Sequence, residues 1–213
     1  MKIKVCGLRD PENIAAVAEL APDYMGFIYY DGSPRFVGNS VADVLKDIPS
    51  SIYTTGVFVN ESDFTIGALI DEFGFDAVQL HGNEPEGFAN RFKGKAQVIK
   101  AFGVDENFDF GKLNDYLGNV DYFLFDTKTD AHGGSGKTFN WDVLDKYKLD
   151  VPFFLSGGLS LDNLEQVAKI NHPQFYGVDL NSKFEIAPGL KDIEKLKQAF
   201  SLLKHDTTHE IRS

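Results

Sequence analysis

Apolar residues fall along this chain in short continuous runs, not in strict alternation. Eight runs predict strands, at residues 3–6, 24–28, 53–58, 77–80, 97–102, 122–126, 152–156 and 175–180. Continuous runs of this length suit strands buried on both faces. The segments between them have helical spacing. Asp10-Pro11-Glu12 is a start signal, a capping acid followed by proline in the first turn, and Ile14, Val17 and Ala18 then share a face. Ser62 opens a second helix with Ile66, Leu69, Ile70 and Phe73 on one side and Gly74 at its end. Leu161-Asp162-Asn163 opens another, carrying Leu164, Val167 and Ala168. The last helix is expected to begin near Pro188-Gly189 and to carry Leu190, Ile193, Leu196, Phe200 and Leu203. The weakest pattern, at residues 112–117, predicts only a turn or two.

Eight strands alternating with helices in 213 residues predict the α/β class, as a single-domain (β/α)₈ TIM barrel. A doubly wound open sheet is the structural alternative. The barrel is expected to span residues 1–204, with a polar tail over 205–213. No composition shift, linker or internal repeat argues for a second domain.

Composition narrows the function. A formal net charge of -11 argues against a nucleic-acid or anionic-membrane surface. An anionic ligand would therefore need a local device such as backbone amides or a few basic side chains. Cys6 is the only cysteine, so no internal disulfide can form, and the N-terminus lacks a signal-like pattern. Both point to the reducing cytoplasm. The apolar runs are too short to span a bilayer, and the five histidines have no metal-ligand spacing.

In a barrel of this kind the chemistry sits at the C-terminal strand ends and in the loops that follow. Cys6, Arg35, Gln79, His81, Asp126, Ser156 and Asp179 all lie there. Cys6 reads either as a small buried hydrophobe or as a base, the latter helped by the loop amides of Gly7 and Leu8 and the helix start at Asp10. Asp126 reads either as a turn cap or as a general acid whose pKa is raised by the apolar neighbours Phe123, Leu124 and Phe125. Arg35 can grip a carboxylate with two parallel hydrogen bonds, or form a surface ion pair. His81 beside Gln79 is more often structural than catalytic. Ser156-Gly157-Gly158 follows the seventh strand and Asn181-Ser182-Lys183 the eighth, where such barrels commonly hold phosphate. The glycine-rich stretch 128–140 reads as a lid or ligand loop. Its piece at 133–138 is half a P-loop, but Ala131 stands where the motif needs glycine, so nucleotide hydrolysis is rejected.

Several segments occur in a characteristic order. They are Lys4-Val5-Cys6-Gly7-Leu8, Ser33-Pro34-Arg35-Phe36-Val37, Gly56-Val57-Phe58-Val59-Asn60 and Val78-Gln79-Leu80-His81-Gly82. Phe125-Asp126, Gly133-Gly134-Ser135-Gly136-Lys137-Thr138, Leu155-Ser156-Gly157-Gly158-Leu159, Gly177-Val178-Asp179 and Pro188-Gly189-Leu190-Lys191-Asp192 complete the set. This set resembles the phosphoribosylanthranilate isomerase family from residue 3 to about residue 200. The resemblance implies a cofactor-free, metal-free isomerase of tryptophan biosynthesis, acting on a small phosphorylated substrate as a monomer or homodimer. It implies Cys6 as general base, Asp126 as general acid and Arg35 on the anthranilate carboxylate. It also implies Gly157, Gly158, Asn181 and Ser182 around the phosphate, with Gln79, His81 and Asp179 among the substrate contacts. Asn181-Ser182-Lys183 departs from the family's Ser-Ser-Gly, and Lys183 is expected either to strain a position suited to glycine or to add charge near the phosphate. The alternatives are another phosphosugar barrel such as a ribulose-phosphate epimerase, or a binding module without catalysis.

Overall fold

A computed structural model describes residues 1–38, 41–128 and 138–205. Eight parallel strands close on one another: β1 (Lys2–Cys6), β2 (Tyr24–Ile28), β3 (Tyr53–Phe58), β4 (Ala77–Leu80), β5 (Gln97–Val104), β6 (Tyr122–Thr127), β7 (Phe153–Leu155) and β8 (Phe175–Leu180). The seam is β1 against β8, where Lys4 faces Asp179 in register. The open-sheet alternative is excluded, because no edge remains in this sheet.

Helices pack outside the strands. α1 (Pro11–Ala18) is capped by the Asp10 side chain on the Asn13 amide. α2 is Ala42–Leu45; α3 (Asp63–Phe73) runs from its Ser62 cap to Gly74, whose φ of 66° ends it in the left-handed region. α4 is Glu86–Ala89, and α5 is the single turn Leu164–Val167. Short 3₁₀ turns, Phe110–Tyr116 and Trp141–Lys146, stand where α-helices would follow β5 and β6. The expected last helix needs correction. Residues Glu185–Ala187 (β9) and Leu190–Lys191 (β10) form a small antiparallel hairpin turning at Pro188-Gly189, and α6 starts only at Ile193, running to His205. The expected tail beyond His205, and residues 129–137 of the glycine-rich loop, lie outside the described residues.

Strand pleating sorts side chains into two cores. Ile3, Val5, Val78, Leu80, Phe123, Phe125, Val178 and Leu180 face outward and meet the helices. Inside, Phe154 is ringed by Tyr24, Tyr122 and Tyr176 at centroid distances of 5.2–5.6 Å and, with Ala77, Ile99, Ala101 and Leu124, plugs the N-terminal end of the barrel. The interior is thus solid below and polar above.

One buried ion pair pins the loop after β4. Glu84 accepts from the Asn60 and Gly82 amides and from Lys100 Nζ (3.0 Å), and both side chains are 3% exposed or less. Lys100 also donates to the Gly82 carbonyl at 2.8 Å. Burial pulls the Lys100 pKa below the lysine range against the opposing carboxylate. Glu84→Gln keeps the shape but leaves that ammonium without its counter-charge, and is expected to cost about 3–5 kcal/mol in urea unfolding. A loss under about 1 kcal/mol, the size of an exposed pair, would contradict this role.

Candidate active site

At the C-terminal end the inward positions open into a cavity of about 350 Å³. Cys6, Arg35, Gln79, His81, Asp126, Ser156, Asp179 and Asn181 all reach its wall. An adjoining cleft shares Asp126, Ser156, Asp179 and Asn181 and adds Gly157, Gly158 and Ser182. Every site residue expected from the sequence is therefore found at one mouth.

Cys6 ends β1 and is 3% exposed. Its sulfur occupies space left by Gly26 on β2, where an added Cβ would lie 2.7 Å from Sγ. The expected source of a lowered thiol pKa needs correction. The Gly7 and Leu8 amides both donate to the Gly26 carbonyl, at 3.0 and 3.2 Å, so they are engaged elsewhere. Burial dominates and pushes the thiol up; Lys4 and Lys191 pull it down, and Asp179 adds to the rise.

Lys4 lies two residues before Cys6 and shares its inward face. It is fully buried, and its Nζ donates to Asp179 Oδ1 at 3.0 Å. Burial works to lower its pKa, but Asp179 and Cys6 outweigh it, so Lys4 holds its proton above the usual lysine range. Burial holds the Asp179 carboxyl above its usual range, with Lys4 pulling against it. A charged ammonium thus sits in the layer beneath the thiol.

Asp126 follows the inward positions Tyr122 and Leu124 on β6. Its expected apolar surroundings also need correction. Alternation turns Phe123 and Phe125 outward, onto Tyr147. The carboxyl meets polar groups instead. Oδ1 accepts from the Thr127 amide at 2.8 Å, and Oδ2 lies 3.5 Å from His81 Nε2. Gly157 lets the next loop approach, since a Cβ there would come within 2.5 Å of Asp126 Oδ1. Gln79 Nε2 lies 2.8 Å from His81 Nδ1. An amide nitrogen only donates, so this contact leaves the His81 proton on Nε2, toward Asp126. Gln79 Oε1 is buried without a partner among the described residues.

Arg35 is an ion-pair residue, as one reading of the sequence held, but the pair is not on the surface. Its side chain is 14% exposed and grips Glu185, which is 4% exposed. Lys191 Nζ reaches Glu185 Oε1 at 2.7 Å and Asn181 Oδ1 at 2.8 Å. Gly157 and Gly158 have φ of 84° and 66°. In the described structure their amides and that of Leu159 have no acceptor. Lys183 lies in a 3₁₀ turn and is not among the positive-φ residues, so the expected strain is absent.

Lys4, Glu185 and Lys191 escaped the sequence reading. Lys4 was detectable, because a lysine in a strand otherwise buried on both faces needs a partner. Glu185 and Lys191 flank a Pro-Gly that reads equally well as a helix start.

A family model described as N-(5'phosphoribosyl)anthranilate (PRA) isomerase matches residues 3–201. Proteins named N-(5'-phosphoribosyl)anthranilate isomerase from Parabacteroides distasonis and Phocaeicola vulgatus are 45% and 43% identical to this chain. The matches cover 96% and 93% of this chain, and 94% and 98% of the relatives. Among solved structures, phosphoribosyl anthranilate isomerase from Thermotoga maritima superposes with a TM-score of 0.85 at 31% identity, covering 96% of this chain and 99% of that one. A phosphoribosyl anthranilate isomerase in complex with reduced 1-(O-carboxyphenylamino)-1-deoxyribulose 5-phosphate has a TM-score of 0.82 at 28% identity, with the same coverages.

The close fit of the sulfur against Gly26 can be checked directly. Gly26→Ala puts a methyl where the thiol sits and is expected to cost about 1–3 kcal/mol, as overpacking does. It should also slow alkylation of Cys6 by iodoacetamide or change its pH dependence. Unaltered stability and alkylation would show that the thiol lies elsewhere.

Proposed function

The chain belongs to the N-(5'-phosphoribosyl)anthranilate isomerase family, and from that premise we propose how its mouth performs the reaction. The enzyme is an isomerase of tryptophan biosynthesis. It converts N-(5-phosphoribosyl)anthranilate to 1-(2-carboxyphenylamino)-1-deoxy-D-ribulose 5-phosphate by an Amadori rearrangement. Cys6 is the general base and Asp126 the general acid. The observation that carries this reading is their meeting on the wall of one cavity from opposite parts of the chain, with a buried cation in the layer beneath the thiol.

The steps follow from that arrangement. The anilino nitrogen pushes its lone pair toward C1, the bond from C1 to the ring oxygen breaks, and Asp126 gives that oxygen its proton. The resulting iminium makes the C2 hydrogen acidic, and the Cys6 thiolate takes it, leaving an enolamine. The enolamine ketonises as a proton leaves the C2 oxygen and one arrives at C1. Solvent then restores the starting protonation. Turnover thus needs a proton on the carboxyl and none on the thiol. His81 Nε2–H faces the carboxylate formed when Asp126 gives up its proton.

The rest of the mouth binds. Arg35 receives the anthranilate carboxylate. The Gly157 and Gly158 amides, with Asn181 and Ser182, receive the phosphate, since unpaired amides bind an anion without net positive charge. Gln79 Oε1 accepts from a substrate donor, which supplies its missing partner. Asp179 closes the wall between the two subsites. One chain supplies all these groups, so the site works in a monomer or a homodimer; one similar solved protein is described as dimeric. We place the enzyme in the cytoplasm, on its single unpaired cysteine and its role in biosynthesis.

Two variants test the pair. Cys6→Ser and Asp126→Asn are each expected to lower kcat by at least about 10²-fold, because a positioned acid or base contributes about 10²–10⁴-fold. Product affinity should stay within several-fold, since neither change removes an ionic grip on the ligand. Either variant keeping more than about a tenth of wild-type turnover would remove that residue from its role.

A further inference from the structure

Arg35 does not face the cavity unaided. The hairpin of β9 and β10 sets Glu185 and Lys191 in register opposite one another. The Asn13 side chain brackets the Lys191 backbone, donating to its carbonyl at 2.9 Å and accepting from its amide at 2.7 Å. Glu185 is therefore held on a fixed support. It takes Arg35 Nε at 2.9 Å on Oε1 and 3.1 Å on Oε2, and Nη2 at 2.7 Å on Oε2. Oε1 also accepts from Lys191 Nζ at 2.7 Å and from the Gly189 amide at 3.2 Å.

A guanidinium has two edges that can offer paired donors. Glu185 occupies the side edge, Nε with Nη2. The end edge, Nη1 with the second Nη2 hydrogen, has no partner among the described residues. Glu185 also sits between a half-buried cation, Arg35, and a buried one, Lys191, that would otherwise repel each other. The two cations oppose its burial and hold the Glu185 carboxyl below its usual range.

We propose that Glu185 is a positioning residue that orients Arg35 by its side edge and leaves the end edge to read the substrate carboxylate. This rests on the reading of Arg35 as the anthranilate grip. It makes the carboxylate subsite selective in geometry as well as in charge. A planar carboxylate matches a fixed two-donor edge, whereas an unsupported arginine would offer only a mobile positive charge. Lys191 balances the second negative lobe of Glu185 and is not itself a ligand of the substrate.

A double-mutant cycle between Arg35 and Glu185 separates the proposal from the reading beneath it. Arg35→Met alone should raise KM by at least about tenfold with kcat within a few-fold, the pattern of lost uniform binding. An unchanged KM there would end the reading of Arg35 as the grip, and this proposal with it. Glu185→Gln alone should raise KM by several-fold to tenfold, again at nearly constant kcat. In the Arg35→Met background the same Glu185 change should add little to KM, because it acts through Arg35. A purely structural Glu185 would lower stability and change the kinetics equally in both backgrounds. That equal effect, or a wild-type KM for Glu185→Gln, overturns the proposal while leaving Arg35 as the grip. If the Gln variant does not fold, Glu185→Asp serves in the same cycle. It keeps the charge but withdraws the carboxylate by one methylene. A KM increase confined to the Arg35 background is expected; an equal increase in both overturns the proposal.

Discussion

The ion pair between Lys4 and Asp179 is the interaction on which the rest depends. It joins the first and last strands across the seam that closes the barrel, and its partners face each other in register. Both groups are buried, so the attraction between them is largely spent on their lost hydration, and such a pair is weak evidence for stability. Removing one partner is another matter, since it strands a charge in the interior. The pair thus locks the seam by the cost of breaking it. Its place in the layer below Cys6 gives it a second consequence. The thiol is buried and pushed toward its neutral form, and Lys4 is the strongest influence in the opposite direction.

The same logic explains how an acidic chain binds an anionic substrate. The net charge of -11 is spread over the whole sequence, while the mouth gathers its own balanced clusters. Lys4 with Asp179, and Arg35 and Lys191 around Glu185, each bury cations together with carboxylates. The adjoining cleft, which we propose for the phosphate, offers neutral backbone donors at Gly157 and Gly158 instead. Charge is thus placed locally and held by geometry, so the global balance says little about this ligand. The tyrosine-lined plug below keeps the polar layer dry from one side and leaves the cavity above as the route of entry.

Much of this was legible in the chain. The eight strands follow from continuous apolar runs, and the Asp10 and Ser62 caps are read from residue type alone. Positions at strand ends and in the loops just after them bring Cys6, Arg35, Asp126 and Asp179 to one mouth. Three things were not legible, each for a physical reason. The surroundings of Asp126 depend on which face of β6 points inward, and a continuous apolar run hides that phase, so Phe123 and Phe125 look like neighbours when they point away. The role of the Gly7 and Leu8 amides depends on the Gly26 carbonyl, which only strand pairing brings to them. The hairpin carrying Glu185 and Lys191 depends on long-range support from Asn13, whereas local spacing around Pro188-Gly189 fits a helix.

The central claim is that Lys4 and Asp179 tune, in opposite directions, the ionisation of a Cys6 thiol that burial pushes up. The single cysteine makes this measurable, because pH-dependent alkylation reports on one thiol only. The rate of Cys6 alkylation should be followed across pH in the wild type, in Lys4→Met and in Asp179→Asn, with circular dichroism confirming that each is folded. The midpoint of the wild type should lie above that of an ordinary thiol. Lys4→Met should move it further up, since an opposing cation is lost, and Asp179→Asn should move it down, since a like charge is lost. Two shifts in the same direction, or no shift in either variant, would contradict the account.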